Sequence, residues 1–160
     1  MKRKGLVLAL AAVLLFTACG GGAEDEGTQA GAADSEEISF GTPADPSEAD
    51  REVEVTATDE LRFGPESIEV QKGETVTFVV TNQGTLDHEF VLGDPDFQED
   101  QAAEAGGHGG HNTSSNSVHV PPGETAKLTW TFSQSVEVQY ACHVDDHFGA
   151  GMLGSIEVAS

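Results

Sequence analysis

Val136-Glu137-Val138-Gln139-Tyr140-Ala141-Cys142-His143-Val144-Asp145-Asp146-His147-Phe148-Gly149-Ala150-Gly151-Met152 holds two patterns in one run. Its first half alternates. Val136, Val138, Tyr140 and Cys142 fall on one face of an extended chain, because successive strand side chains point to opposite sides. Its second half cannot continue that strand. Gly149, Gly151 and, further on, Gly154 supply tight backbone, so the chain leaves the sheet and loops back. A thiol (Cys142), an imidazole (His147) and a thioether (Met152) follow one another at five-residue steps.

The period of two recurs upstream. Val53, Val55 and Ala57 share a face, as do Ile68 and Val70, and Lys72-Gly73-Glu74 then turns the chain. Val76, Phe78 and Val80 are interleaved with Thr75, Thr77 and Thr81. His88, Phe90 and Leu92 follow, then Val118 and Val120, then Leu128, Trp130 and Phe132, and Ile156 and Val158 last. Short alternating runs punctuated by Gly, Pro and Asn predict an all-β fold, an antiparallel Greek-key β-sandwich. No segment shows a helical period. Residues 93–116 interrupt the pattern with acidic residues and then a Gly-rich stretch carrying His108 and His111. A connection of that length in a small sandwich is expected to be functional or disordered.

The N-terminal part is set aside from the fold. Residues 1–18 have a basic start, Lys2-Arg3-Lys4, and an apolar run too short to span a bilayer comfortably. Phe16-Thr17-Ala18-Cys19 resembles the lipobox of bacterial lipoproteins, although Phe16 stands where Leu is usual. The resemblance implies that Cys19 becomes a lipidated N-terminus. An ordinary secretory signal or a retained anchor are the alternatives, and all three place the body outside the cytoplasm. Residues 19–50 are rich in Gly, Ala, Ser and acid and show no apolar period, so they are expected to be a disordered acidic linker with a reach of roughly 30 Å. The folded domain is expected over residues 51–160.

With Cys19 committed to lipid, Cys142 is left alone and no intramolecular disulfide is available. A lone thiol in an oxidising compartment is a liability unless buried or coordinated. The formal charge is −21, and loss of Lys2, Arg3 and Lys4 with the leader takes it to −24. Such a surface argues against nucleic acid as a partner. It suits steering toward a basic redox partner, and equally solubility in a salty medium.

Alternation places His88 inward beside Phe90 and Leu92, and Cys142 inward beside Val138 and Tyr140. If their strands are neighbours, both meet at one end of the sandwich, with His147 and Met152 on the returning loop. Two His, one Cys and a weakly held Met are the donor set of a blue-copper site.

At this point the last two-thirds of the chain resembles the cupredoxin, or blue-copper, family. Cys142-x4-His147-x4-Met152 has the spacing of rusticyanin and auracyanin. His88-Glu89-Phe90-Val91 resembles the upstream ligand motif, and Val120-Pro121-Pro122-Gly123-Glu124-Thr125 resembles the family's turn before a strand. The resemblance implies one copper ion, cycling between Cu(I) and Cu(II), with His88, Cys142 and His147 as equatorial ligands and Met152 as axial ligand. Asp145-Asp146 departs from the frequent Pro-Gly, and Glu89 from the frequent Asn; acids near the metal would favour Cu(II), and the alternative for the two aspartates is a pair of solvated loop carboxylates.

Cys142-His143-x3-His147 also resembles the type 1 site of multicopper oxidases. Their second copper cluster needs paired His-x-His motifs, and this chain has six His and no such pair. His143 is therefore expected on the opposite side of its strand, facing solvent, and His119 on the surface. His108 and His111 are candidates for capturing copper and passing it on. The expected function is that of an extracytoplasmic, membrane-tethered carrier of single electrons, not an enzyme. Its partner would be a basic cytochrome or oxidase domain, docking around His147 beside Phe148, Ala150 and Leu153. The alternative is a copper storage, delivery or resistance module.

Overall fold

Val76, Phe78 and Val80 point into a buried core from the strand Thr75–Asn82, and the intervening threonines face the other way. This alternation organises the computed structural model, which describes residues 38–105 and 114–160. Its elements are β1 (Gly41–Pro43), β2 (Arg51–Thr58), β3 (Arg62–Gly64), β4 (Ser67–Gln71), β5 (Thr75–Asn82) and β6 (His88–Gly93), then α1 (Pro95–Ala105), β7 (Ser117–Val120), β8 (Thr125–Phe132), β9 (Glu137–Ala141) and β10 (Leu153–Ala159). One sheet has the order β1-β8-β5-β2-β3 and the other β4-β10-β9-β6-β7.

The two sheets form the sandwich that alternation predicts. Two of the pairings are parallel, however: β2 with β5 and β4 with β10. The sheets are therefore mixed rather than purely antiparallel. Alternation reports which face is buried and carries no sign of strand direction. On the outer side of β5 the threonines pair with those of β8 through their hydroxyls: Thr75 with Thr131 at 2.7 Å, Thr77 with Thr129 at 2.8 Å and Thr81 with Thr125 at 2.9 Å. Such cross-strand pairs are the unit of sheet stabilisation.

Aromatic rings fill the centre. Phe90 packs against Phe63, Phe78 and Tyr140, with ring centroids at 5.9, 5.3 and 5.1 Å. Phe90 lies two positions beyond His88 on the same face of β6, so this cluster fixes the strand from which His88 projects.

Residues 38–50, expected as the end of a linker, belong to the fold. β1 pairs with β8, and Phe40 is buried with its ring 5.5 Å from that of Trp130. A Cβ on Gly41 would run into the Thr131 carbonyl, so only glycine lets β1 approach this closely. One aromatic in a polar stretch has no period to reveal it. The rest of the expected linker and the leader, Cys19 included, lie outside the described residues.

The expectation of no helix is also corrected. α1 packs beside β6 and β9, and its Gln98 amide donates to the carbonyls of Val91 (2.9 Å) and Gln139 (3.4 Å). Val91 and Ala141 alternate away from the inter-sheet core, yet both are fully buried on this side. The third layer supplied by α1 explains that burial.

Candidate metal centre

β6 and β9 are hydrogen-bonded neighbours, with Val91 opposite Ala141 and Leu92 opposite Tyr140. His88 opens β6, and Cys142 follows the last residue of β9. Adjacency thus brings together two side chains more than fifty positions apart. The ligating atoms of His88, Cys142 and His147 all lie within 4.8 Å of one another. Cys142 Sγ is 3.9 Å from His88 Nδ1 and 3.4 Å from His147 Nδ1. Both imidazoles present the same nitrogen to the sulfur.

The loop that returns from Cys142 is bound to itself. The Cys142 N–H donates to the Met152 carbonyl (3.2 Å), and the Met152 N–H to the His147 carbonyl (3.0 Å). His147 donates to Val144, Ala150 to Asp146 and Gly151 to Phe148. Gly151 has a φ of +90° and Asp145 a φ of +50°. Aspartate is among the few residues that tolerate the latter conformation, which gives Asp145 a backbone role. Met152 is completely buried beside this network, and Arg62 reaches across from β3 to donate to the Ala150 carbonyl (3.0 Å).

A second set of bonds fixes the approach to His88. The Asp59 carboxylate accepts from the backbone of Thr85 (2.8 Å) and Leu86 (3.1 Å) and from the Thr85 hydroxyl (2.9 Å). These donors hold the Asp59 carboxyl below its ordinary value, the Leu86 N–H most of all. Buried Asn82 donates to the carbonyls of Leu86 (2.7 Å) and Val120 (3.0 Å).

The electrostatics call for a cation. Burial pushes the Cys142 thiol up to about 12; the N–H groups of Glu89 and Val144 oppose this, and the charges of Glu89 and Asp145 add to it. Burial holds the His88 imidazole below its usual value, with a further contribution from His147. A proton is thus disfavoured on the imidazole and a bare thiolate on the sulfur, whereas a soft metal ion satisfies both. The donor set fits type 1 copper: a thiolate, an imidazole and a thioether from the returning loop, and a second imidazole from the start of β6.

His143 corrects the sequence reading. It lies opposite the core face, as expected, but it is only 6% exposed. α1 covers it: His143 Nε2 is 2.7 Å from Gln98 Oε1, and its ring stacks on Phe148. Glu89 is also buried, and its carboxylate accepts the His143 N–H at 3.0 Å. His119 lies toward the surface as expected, 3.2 Å from Asp87. His108 and His111 lie outside the described residues. Gln98 was missed altogether, because a lone Gln in a polar acidic stretch carries no signal of burial.

Fold and site together define a cupredoxin with a single type 1 copper centre. Residues 49–159 match the family of copper binding proteins described as plastocyanin/azurin, and the chain belongs to that family. The chain is 36% identical to the copper-resistant cuproprotein CopI of Pseudomonas aeruginosa, over 82% of this chain and 89% of that one. It is 35% identical to CopI of Rubrivivax gelatinosus, over 95% and 94%. Among solved structures, reduced auracyanin of Roseiflexus castenholzii shares the fold at a TM-score of 0.59 and 22% identity, covering 70% of this chain and 99% of that one.

Proposed function

We propose that this is a copper-resistance cuproprotein of the extracytoplasmic side of a bacterial membrane, whose His88–Cys142–His147–Met152 centre takes up copper and holds it in a buried site. One observation carries the reading. Three strong donors converge within 4.8 Å in a chain whose relatives, alike over nearly their whole length, are named for copper resistance. Bound there, copper supplies a one-electron couple. The protein's own part is to release the Cys142 proton, to exclude water from Cys142 and His88, and to keep the donors in place through the bonded loop.

A second reading, that of a single-electron carrier, is favoured by the same self-bonded loop. A frame that barely moves between oxidation states lowers the cost of transfer, and His147 is the most exposed of the three donors at 7%. In either reading the protein is not an enzyme. Cys19 would tether it to the membrane by lipid, and its acidic surface would meet a basic protein partner.

The test uses a host lacking the protein. Wild type restores growth on copper, and Cys142→Ser does not. Purified wild type turns blue with Cu(II) and the Cys142→Ser protein stays colourless. Equal rescue by both would overturn the resistance reading. Rapid reversible exchange of electrons, with no growth phenotype, would select the carrier. Cys19→Ala is expected to move the protein from the membrane to the soluble fraction.

A further inference from the structure

We propose that Gln98 and His143 are positioning residues that clasp the copper loop, so that the inserted helix α1 governs how fast the site gives up its metal. The inference rests on the copper reading and adds a retention device to it. Four observations carry it.

First, the amide nitrogen of Gln98 donates to two strand carbonyls, Val91 on β6 and Gln139 on β9. This fixes the orientation of the amide, so its Oε1 faces His143. Second, the contact between Oε1 and His143 Nε2 is 2.7 Å, and an oxygen with no proton can only accept. The His143 proton therefore sits on Nε2. Its Nδ1 is bare and, among the described residues, buried without a partner. Third, the ring is gripped on its face by Phe148, with centroids 5.1 Å apart and planes 28° apart. Phe148 directly follows the ligand His147, so the stack bridges both ends of the Cys142–His147 turn. Fourth, the His143 N–H donates to Glu89, whose own N–H points at Cys142 Sγ at 3.4 Å.

The chain of contacts thus runs from α1 to the sulfur with every side chain in it at least nine-tenths buried, except Phe148. Gln98 is 0% exposed, although it lies on a helix with few other apolar anchors. Its burial is explained by what it holds.

The experiment compares wild type with Gln98→Met, which keeps the volume and removes the hydrogen bonds, with His143→Leu, and with the double variant. Each protein is loaded with Cu(II), and loss of colour to an excess of chelator is timed. Each single variant is expected to lose copper about tenfold faster, the worth of one buried hydrogen bond. The double variant should be no faster than the faster single, because both changes break one link. In the metal-free proteins, amide exchange at His143 and across the ligand loop should quicken, while strands of the opposite sheet keep their protection. A wild type that stays colourless overturns the copper assignment and the clasp with it. A blue wild type whose variants lose copper at the wild-type rate, or only in proportion to global unfolding, overturns the clasp alone.

Discussion

The backbone N–H of Glu89 points at the sulfur of Cys142 across 3.4 Å, while the Glu89 side chain accepts the N–H of His143. One residue of β6 thereby grips the end of β9 twice, once at the ligand and once just past it. The N–H favours a thiolate, and the carboxylate beside it disfavours one. Glu89→Gln keeps an oxygen to accept the His143 N–H and removes the charge. The reduction potential should rise by roughly 100 mV, the scale of one charge several ångströms away at an effective dielectric near 20. Protein-film voltammetry measures it, and an unchanged potential would show that the carboxylate is electrically silent.

Asp145 and Asp146 make a graded version of the same test. Both are exposed, but only Asp145 adds to the resistance of Cys142 to losing its proton. Asp145→Asn should raise the potential by some tens of millivolts at low salt and less at high salt, where the charge is screened. Asp146→Asn should do less. Equal null effects from both would leave them as solvated loop acids.

Met152→Leu preserves bulk in the core and removes the weak sulfur donor. The protein should still bind copper and stay coloured, with a higher potential, because the oxidised ion loses more from the missing ligand than the reduced one does. Loss of copper binding on this change would mean that Met152 is a strong ligand rather than an axial one.

The metal-free fold should be most stable between neutral and mildly alkaline pH. Burial depresses the His88 and His143 imidazoles from 6.5, so the unfolded chain binds those protons more readily and stability falls as acid is added below that value. The buried Cys142 thiol is raised from 9.0 to about 12, so the unfolded chain loses its proton first and stability falls again above 9.0. Urea midpoints across this range check both limbs. Copper binding displaces the thiol proton, so apparent affinity should rise about tenfold per pH unit below the thiol's value.

Phe40→Ala should destabilise the protein by about 3–5 kcal/mol, as expected for emptying a buried aromatic site. Thermal or urea unfolding measures it. A protein beginning at residue 51 should be destabilised at least as much. If neither change matters, residues 38–50 are linker after all.

Much of the fold was legible because period two is a local property. Phe78, Phe90, Trp130 and Tyr140 sit in the core where alternation places them. Val136, assigned to the same face as Val138, is 40% exposed because β9 begins only at Glu137. Cys142, His147 and Met152 were legible because their spacing lies within one loop. His88 required the further step that its strand neighbours β9, which the pairing of Val91 with Ala141 provides.

The chain by itself therefore determined the sandwich, the donor types and their order, since these depend on local alternation and on the identity of each side chain. Only the tertiary structure decided that Phe40 closes the core beside Trp130, that β2 and β5 run parallel, and that α1 seals His143 from water. Those facts depend on which distant segments meet. A face reads as exposed in a sequence until something is found to cover it, and the cover here, Gln98 and its helix, carries almost no apolar pattern of its own.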